Sequence, residues 1–317
     1  MENSPFSIFS IGEDQLTKKI LAHSVLATGL GKMKTDIFKD SEMSPQFQES
    51  VRDKTVFLVC STTSPIKILQ LELAIDAAMR ASAGKIVALI PYFGYSRQDK
   101  KEGPRGAIGA KVIANKLTAA GVHHIITSDL HADQIQGYFD LPVDHIYGRA
   151  IYRQYIESLP AAENYAIFSP DAGGVKRAER IYEKMESIHP LTTLGLCSKK
   201  RAKANEVEKM IIIGDVKGKK IKLVDDIVDT AGTLVKGAEI MMEAGAESVE
   251  AWITHPVLSG PAKERIEKCD ALSKLVVTDS IYHEQLPDKV QVISASQIFA
   301  KVIDRMVTHQ SIENVNA

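Results

Sequence analysis

Cysteine is scarce in this chain, and so are any excess of one charge and any long apolar run. The three cysteines, Cys60, Cys197 and Cys269, are far apart, odd in number and without a CxxC pair. That speaks against a disulfide or zinc framework and points to a reducing, cytoplasmic setting in which they are core or spectator thiols. Lysine plus arginine number 39 against 40 for aspartate plus glutamate, so no global field draws in nucleic acid or an anionic membrane. Any anion must be held by a local constellation. No stretch approaches ~18 uninterrupted apolar residues, and residues 1–12 lack a basic segment followed by an apolar one. Neither a membrane span nor a secretory leader is expected.

What is present suits two α/β domains. The 317 residues are 44% hydrophobic and 25% charged, the balance of a globular protein with proper cores. Short apolar runs alternate with helical patterns: a strand over 6–9, a helix over 14–26, a strand over 56–60, a helix over 66–81 and a strand over 86–90. A second series has strands over 166–168, 192–196, 210–213, 221–224 and 249–254, with a helix over 175–185. Such alternation implies parallel sheets covered by helices. A boundary near Gly148 divides the chain into 1–148 and 149–295, and the apolar helix at about 296–310 is expected to pack back on the first domain.

The run IKLVDDIVDTAGT, residues 221–233, reads as a strand delivering chemistry, with the sheet edge placed at Asp225. Beyond it Asp229, Thr230, Ala231, Gly232 and Thr233 can offer successive backbone N–H groups and two hydroxyls at the positive end of the next helix, a cradle for phosphate. Asp225 and Asp226 would repel a phosphate lying on them, so they suit vicinal sugar hydroxyls beside it, or a metal. Together these features describe a phosphorylated sugar.

An internal echo relates the halves. In each, a helix closed by Ala-Gly leads to a strand and a histidine ten residues after the glycine: Gly121 and His131, then Gly245 and His255. This suggests duplicated domains. The first copy has no acidic pair and carries instead an extra loop at 94–106, GYSRQDKKEGPRG, with Arg97, Lys100, Lys101 and Arg105. It reads as a mobile, anion-seeking loop. A further basic stretch, SKKRAKANEVEKM, is too charged for a core.

The loop 225–233 resembles the ribose-phosphate binding loop of type I phosphoribosyltransferases and of the ribose-phosphate diphosphokinases, or PRPP synthetases. The rest of the chain favours the latter. Residues 129–144, DLHADQIQGYFDLPVD, are similar to the PRPP synthetase signature almost position for position, and Arg97-Gln98-Asp99 resembles that family's RQD motif. The resemblance implies two tandem phosphoribosyltransferase-like, Rossmann-like domains with parallel sheets, an ATP side in the first and a ribose 5-phosphate side in the second. It implies ATP contacts at Arg97, Gln98, Asp99 and His131, with Phe38, Asp40 and Glu42 binding adenine from a neighbouring subunit. It implies Mg²⁺ held by His131 and by Asp171 of the PDAGG segment, and Lys199 and Arg201 stabilising the transition state. A homo-oligomer, a hexamer, follows, as does regulation by phosphate and ADP at a site to which Ser50, Arg52, Arg80 and Ser82 could correspond. Glu313 stands where the family tends to carry a second serine, and its carboxylate would repel phosphate, so weakened activation is expected. Two other readings are a phosphoribosyltransferase consuming PRPP and a silent regulatory homologue. The first leaves the 129–144 run and the RQD loop without a purpose, and the second is disfavoured because Lys199, Arg201 and the loop acids are all present.

Overall fold

The computed structural model describes residues 4–161, 163–200 and 209–316. The chain divides into two compact units: Met1–Tyr147 with Ser280–Tyr282 and Ser294–Ala317, and Gly148–Asp279 with His283–Ile293.

The first unit opens with β1 (Phe6–Ser10), α1 (Asp14–His23), the pair β2 (Met33–Ile37) and β3 (Met43–Phe47), then β4 (Thr55–Val59), α2 (Pro65–Arg80), β5 (Lys85–Ile90), α3 (Gly109–Ala120), β6 (His124–Ser128) and β7 (Val143–Ile146). Its main sheet has the order β1-β4-β5-β6-β7, all parallel. After their first residues, Thr55 and Lys85, the runs TVFLV and KIVALI are apolar at every position because helices cover both faces of such a sheet. Helix α2 starts where Ser64 accepts a hydrogen bond from the Lys67 amide at 3.3 Å, with Pro65 in the first turn.

The second unit has α4 (Gly148–Glu157), β8 (Tyr165–Ser169), α5 (Val175–Glu186), β9 (Thr193–Lys200), β10 (Lys209–Ile213), β11 (Lys220–Val228), α6 (Gly232–Glu243), β12 (Ser248–Pro256), α7 (Ala262–Lys268), β13 (Lys274–Thr278) and β14 (Val290–Ile293). The sheet order is β10-β9-β8-β11-β12-β13-β14, parallel except for the edge strand β10. Side chains alternate across it: Leu223, Ala251 and Ile253 pack under α6, whereas Val224, Trp252 and Val276 pack under α4 and α5. Tyr152 of α4 stacks on Trp252 with ring centres 5.7 Å apart. The last helix, α8 (Ser296–Val307), belongs to the first unit, where the Asp304 carboxylate accepts from the Ser24 hydroxyl at 2.5 Å and the Val25 amide at 3.0 Å.

Three sequence expectations change. Helix α1 ends at His23 rather than residue 26, because Ser24 turns away to meet Asp304. Strand β11 does not stop at Asp225 but runs on to Val228, held over its last residues by β12 alone. The hairpin β2–β3 was not foreseen, although residues 33–37 alternate in the strand manner. Among the described residues no helix is long and apolar enough to cross a membrane.

Candidate functional site

In the second unit the functional groups gather where β8 and β11 end. The β8 pairing with β11 finishes at Phe168 and Leu223, and Asp225 and Asp226 extend beyond it while still paired to β12. Asp226 is buried, and the Asp225 side chain keeps 26% of its surface exposed. One guanidinium serves both carboxylates: Arg177 Nη1 lies 3.4 Å from Asp225 Oδ1 and 3.2 Å from Asp226 Oδ1. Arg177 comes from the first turn of α5. The approach to that helix passes Asp171, whose Oδ1 accepts from the Gly174 amide at 3.0 Å. Gly174 is required by close approach, since a Cβ there would lie 2.7 Å from Ser169 Oγ. Burial holds the Asp225 carboxyl well above the usual carboxylate range, the Asp226 charge adds to this, and Arg177 opposes it.

The next turn is braced from behind. Asp229 accepts from the Ser259 hydroxyl, its carbonyl accepts from the Ser259 amide at 3.1 Å, and the Thr230 carbonyl accepts from Arg265 at 3.0 Å. Ala231 caps α6 in the left-handed region, φ +62°, a conformation that costs a residue bearing a Cβ about 1–2 kcal/mol. Thr230, Gly232 and Thr233 are exposed at the helix N-terminus, where backbone donors and the helix field favour an anion.

In the first unit β6 is followed by Asp129, Leu130 and His131. Asp129 is buried at φ +37° and its amide bonds the Ile146 carbonyl at 2.8 Å, while His131 is exposed. The 94–106 loop is open only in part. Residues 100–107 are exposed, but Ser96 and Asp99 are buried. The Asp99 carboxylate accepts from Gln134 at 3.1 Å and its carbonyl accepts from the Tyr138 hydroxyl, so this aspartate faces the turn after His131. Gly94 fits because a Cβ would lie 2.0 Å from the Thr62 carbonyl oxygen. Arg97 and Gln98 are exposed, with the Gln98 carbonyl accepting from the Ala110 amide of α3 at 3.2 Å.

Phe38, Asp40 and Glu42 occupy the tip of the β2–β3 hairpin, where the Phe38 amide bonds the Glu42 carbonyl at 2.8 Å and Asp40 accepts from the Glu42 amide at 3.1 Å. The Phe38 ring is 57% exposed. Lys199 lies on β9 opposite Met210 of β10, and Arg201 lies outside the described residues. Arg80 pairs with Asp76 at 2.7 Å, and the Ser82 carbonyl accepts from the Asp53 amide at 2.9 Å. The cysteines are all buried thiols, and burial pushes Cys60 up to about 12 and Cys197 up to about 11.

The family model for the N-terminal domain of ribose phosphate pyrophosphokinase matches residues 6–121, and that for the phosphoribosyl synthetase-associated domain matches residues 183–316. The ribose-phosphate pyrophosphokinase of Porphyromonas gingivalis is 46% identical over 308 residues, covering 97% of this chain and 96% of that protein. The chain belongs to the ribose-phosphate pyrophosphokinase family. Another member, from Chlorobaculum tepidum, is 44% identical over 94% of this chain and 90% of its own. The crystal structure of phosphoribosylpyrophosphate synthetase from Mycobacterium smegmatis superposes with a TM-score of 0.86 at 30% identity, covering 96% of this chain and 99% of that one. The pyrophosphokinase fold of two tandem α/β domains is thus shared over the whole length, and the chain is an enzyme of this family.

Sequence reading missed several residues of this pyrophosphokinase. Arg177 sits among other charges in VKRAERIYEKME, and the only clue to it is its place one turn after Gly174. Ser259 and Arg265 reach the 229–233 turn from the connection after β12 and from α7, so only the HPVLSGP segment hinted at them. Among the described residues no group of three or more His, Cys, Asp or Glu side chains could hold a metal by itself. For Mg²⁺ a full protein cage is not needed, because this ion keeps waters and is bound through one or two carboxylates plus substrate phosphates. An exposed carboxylate fixed at one oxygen, as Asp171 is, fits that mode.

Proposed function

We propose that this enzyme is a ribose-phosphate diphosphokinase, transferring the β,γ-diphosphoryl group of Mg·ATP to the anomeric hydroxyl of ribose 5-phosphate to give 5-phosphoribosyl 1-diphosphate and AMP. The observation that carries the reading is the braced α6 turn beside the Arg177-bridged acids: anion donors and hydroxyl acceptors adjoin, as a sugar phosphate requires. In this reading residues 229–233 hold the 5-phosphate, and Asp225 and Asp226 accept from the ribose hydroxyls, with Arg177 opposing the protonation that burial favours at Asp225. Arg97, Gln98 and His131 contact ATP, and Asp99 positions that loop through Gln134. Phe38, Asp40 and Glu42 take the adenine of a neighbouring copy, a role that the exposed hairpin tip supports, and the enzyme works as a homo-oligomer. His131 and Asp171 are the residues that would hold Mg²⁺, which supplies charge neutralisation on the phosphates and acidifies the attacking hydroxyl.

The anomeric oxygen attacks Pβ, the bond from Pβ to the α,β-bridging oxygen breaks, and AMP leaves with that oxygen while the hydroxyl proton is lost. Lys199 and Arg201 stabilise the charge that spreads over the transferred group. The test is phosphorus NMR of the purified protein with Mg²⁺, ATP and ribose 5-phosphate. AMP and a sugar-linked diphosphate are expected, and ADP instead of AMP, or no turnover, sinks the reading.

A further inference from the structure

We infer that Asn316 and His145 form a relay that sets the position of the strand end carrying His131, and through it the affinity for nucleotide. The nucleotide part rests on the proposed contact between His131 and ATP.

The Asn316 side chain is used at both ends. Its Oδ1 accepts from the Tyr147 amide and its Nδ2 donates to the His145 carbonyl, each at 2.9 Å, and the neighbouring Val315 is buried. The amide thus closes a ring with the backbone where β7 ends. The His145 imidazole, with 2% of its side chain exposed, lies against the Tyr147 ring with centres 4.4 Å apart. Its Nε2 accepts from the Leu130 amide at 2.9 Å.

An accepting Nε2 puts the imidazole proton on Nδ1. That nitrogen lies 3.7 Å from Asp133 Oδ1, an electrostatic contact longer than a hydrogen bond, while the Gln136 side-chain NH2 donates to the Asp133 carbonyl at 3.0 Å. The ring thus bonds the residue before His131 through Nε2 and turns its Nδ1 edge toward the carboxylate two residues after it. The segment needs such support. Asp129 stands at φ +37°, outside the regions an aspartate adopts without cost, and nothing in the local sequence would keep the chain on that course. Its amide bond to Ile146 and the His145 bond to Leu130 hold it against β7, whose end Asn316 clamps. The route from Asn316 to His131 passes through two backbone hydrogen bonds and one buried ring. His131 itself is exposed, and the backbone on which it stands is held from behind by these bonds.

Four variants test the relay. Asn316→Ala removes the clamp, and Asn316→Asp keeps the acceptor for Tyr147 but turns an oxygen on the His145 carbonyl. His145→Leu removes the acceptor for Leu130, and His145→Gln restores an acceptor near the Nε2 position. Asn316→Ala, Asn316→Asp and His145→Leu should raise KM for ATP about fivefold, the effect of one lost hydrogen bond, and leave KM for ribose 5-phosphate unchanged. His145→Gln should stay within about twofold of the parent. A merely structural role would raise both constants together or neither, and either result overturns the relay. The ¹⁵N resonances of the His131 imidazole, recorded without substrates, give an independent reading. They should move in Asn316→Ala, and unchanged resonances also overturn the inference. If the parent protein makes no AMP, the proposed function fails while the imidazole spectrum still decides the relay.

Discussion

Replacing Arg177 by methionine keeps much of the stem volume and removes a cation that lies within 3.4 Å of Asp225 and 3.2 Å of Asp226. The Asp226 side chain is 3% exposed, so it cannot regain its lost partner from bulk water. Breaking a buried ion pair from one side costs about 3–5 kcal/mol, and Asp225, with 26% of its side chain in solvent, brings the expected loss down to about 2–3 kcal/mol at pH 7. Trp252, the chain's one tryptophan, is fully buried in the same unit, so its fluorescence in a denaturant titration reports the loss directly. Burial already holds Asp225 well above the usual carboxylate range, with Asp226 adding to the shift. Between an unfolded value of about 3.9 and that raised folded value, the native state keeps a proton that the unfolded chain has lost, so stability falls as pH rises through the window. Without Arg177 the folded value climbs further and the window extends upward. The deficit of Arg177→Met should therefore be smaller at pH 5 than at pH 8. On activity, weakened hydrogen bonds from the ribose hydroxyls, at about 1.5–3 kcal/mol for a bond to a charged group, should raise KM for ribose 5-phosphate at least about tenfold and leave KM for ATP alone. A deficit equal at both pH values, or an unchanged KM for the sugar, would refute the reasoning.

Other perturbations bear on other parts of the molecule. Buried Lys222 pairs with half-buried Glu250 at 2.9 Å and lies over the rings of Tyr165 and Trp252; Lys222→Met alone should cost about 3–5 kcal/mol in a denaturant titration, whereas Lys222→Met with Glu250→Gln, which removes the charge but keeps an acceptor for the Trp252 indole and the Tyr155 hydroxyl, should recover most of that loss. Ala231→Val should lose sugar-phosphate affinity and stability together, because a β-branched residue is far worse than alanine at φ +62°, and Ala231→Gly should retain both; calorimetric titration with ribose 5-phosphate separates them. Lys199→Ala should lower kcat by orders of magnitude with KM little changed, as expected for a contact made in the transition state, and a normal kcat would show the role is misplaced. In the reading that sets a phosphate site beside Glu313, its carboxylate repels the anion, so the rate should depend only weakly on added inorganic phosphate, and a steep dependence in a steady-state assay refutes that expectation.

The parts read correctly from the chain are those whose physics is local. Runs such as IVALI, residues 86–90, are apolar at every position because both faces of their strand are covered, and that leaves a direct trace. The turn that opens α6 at Gly232 is likewise written in consecutive residues, Asp-Thr-Ala-Gly-Thr after the apolar strand. What brings distant segments together leaves no such trace. Lys176, Arg177 and Arg180 are equivalent on paper, and only the helix phase and the end of β8 put Arg177 on the acids. Asp99 reads as a member of an exposed basic loop, yet it turns inward because Gln134 and Tyr138 offer it partners.

The run 129–144 shows how a specific motif can be mostly architecture. It is the most distinctive segment in the chain, and it looks like a set of ligand contacts. In the structure Asp133 and Gln136 face His145, Gln134 holds Asp99, the Tyr138 carbonyl accepts from Lys111 at 2.7 Å, and Asp144 pairs with His124 at 2.8 Å. These bonds join β6, β7, α3 and the 94–106 loop around one short turn. His131 is left exposed at the start of that turn, as are Gln134, Asp140 and Pro142 further along. Much of what makes the motif distinctive is thus the cost of holding a single exposed histidine at the end of a strand. A substitution at Gln134 or Asp144 should act on nucleotide affinity through backbone position rather than through a lost contact.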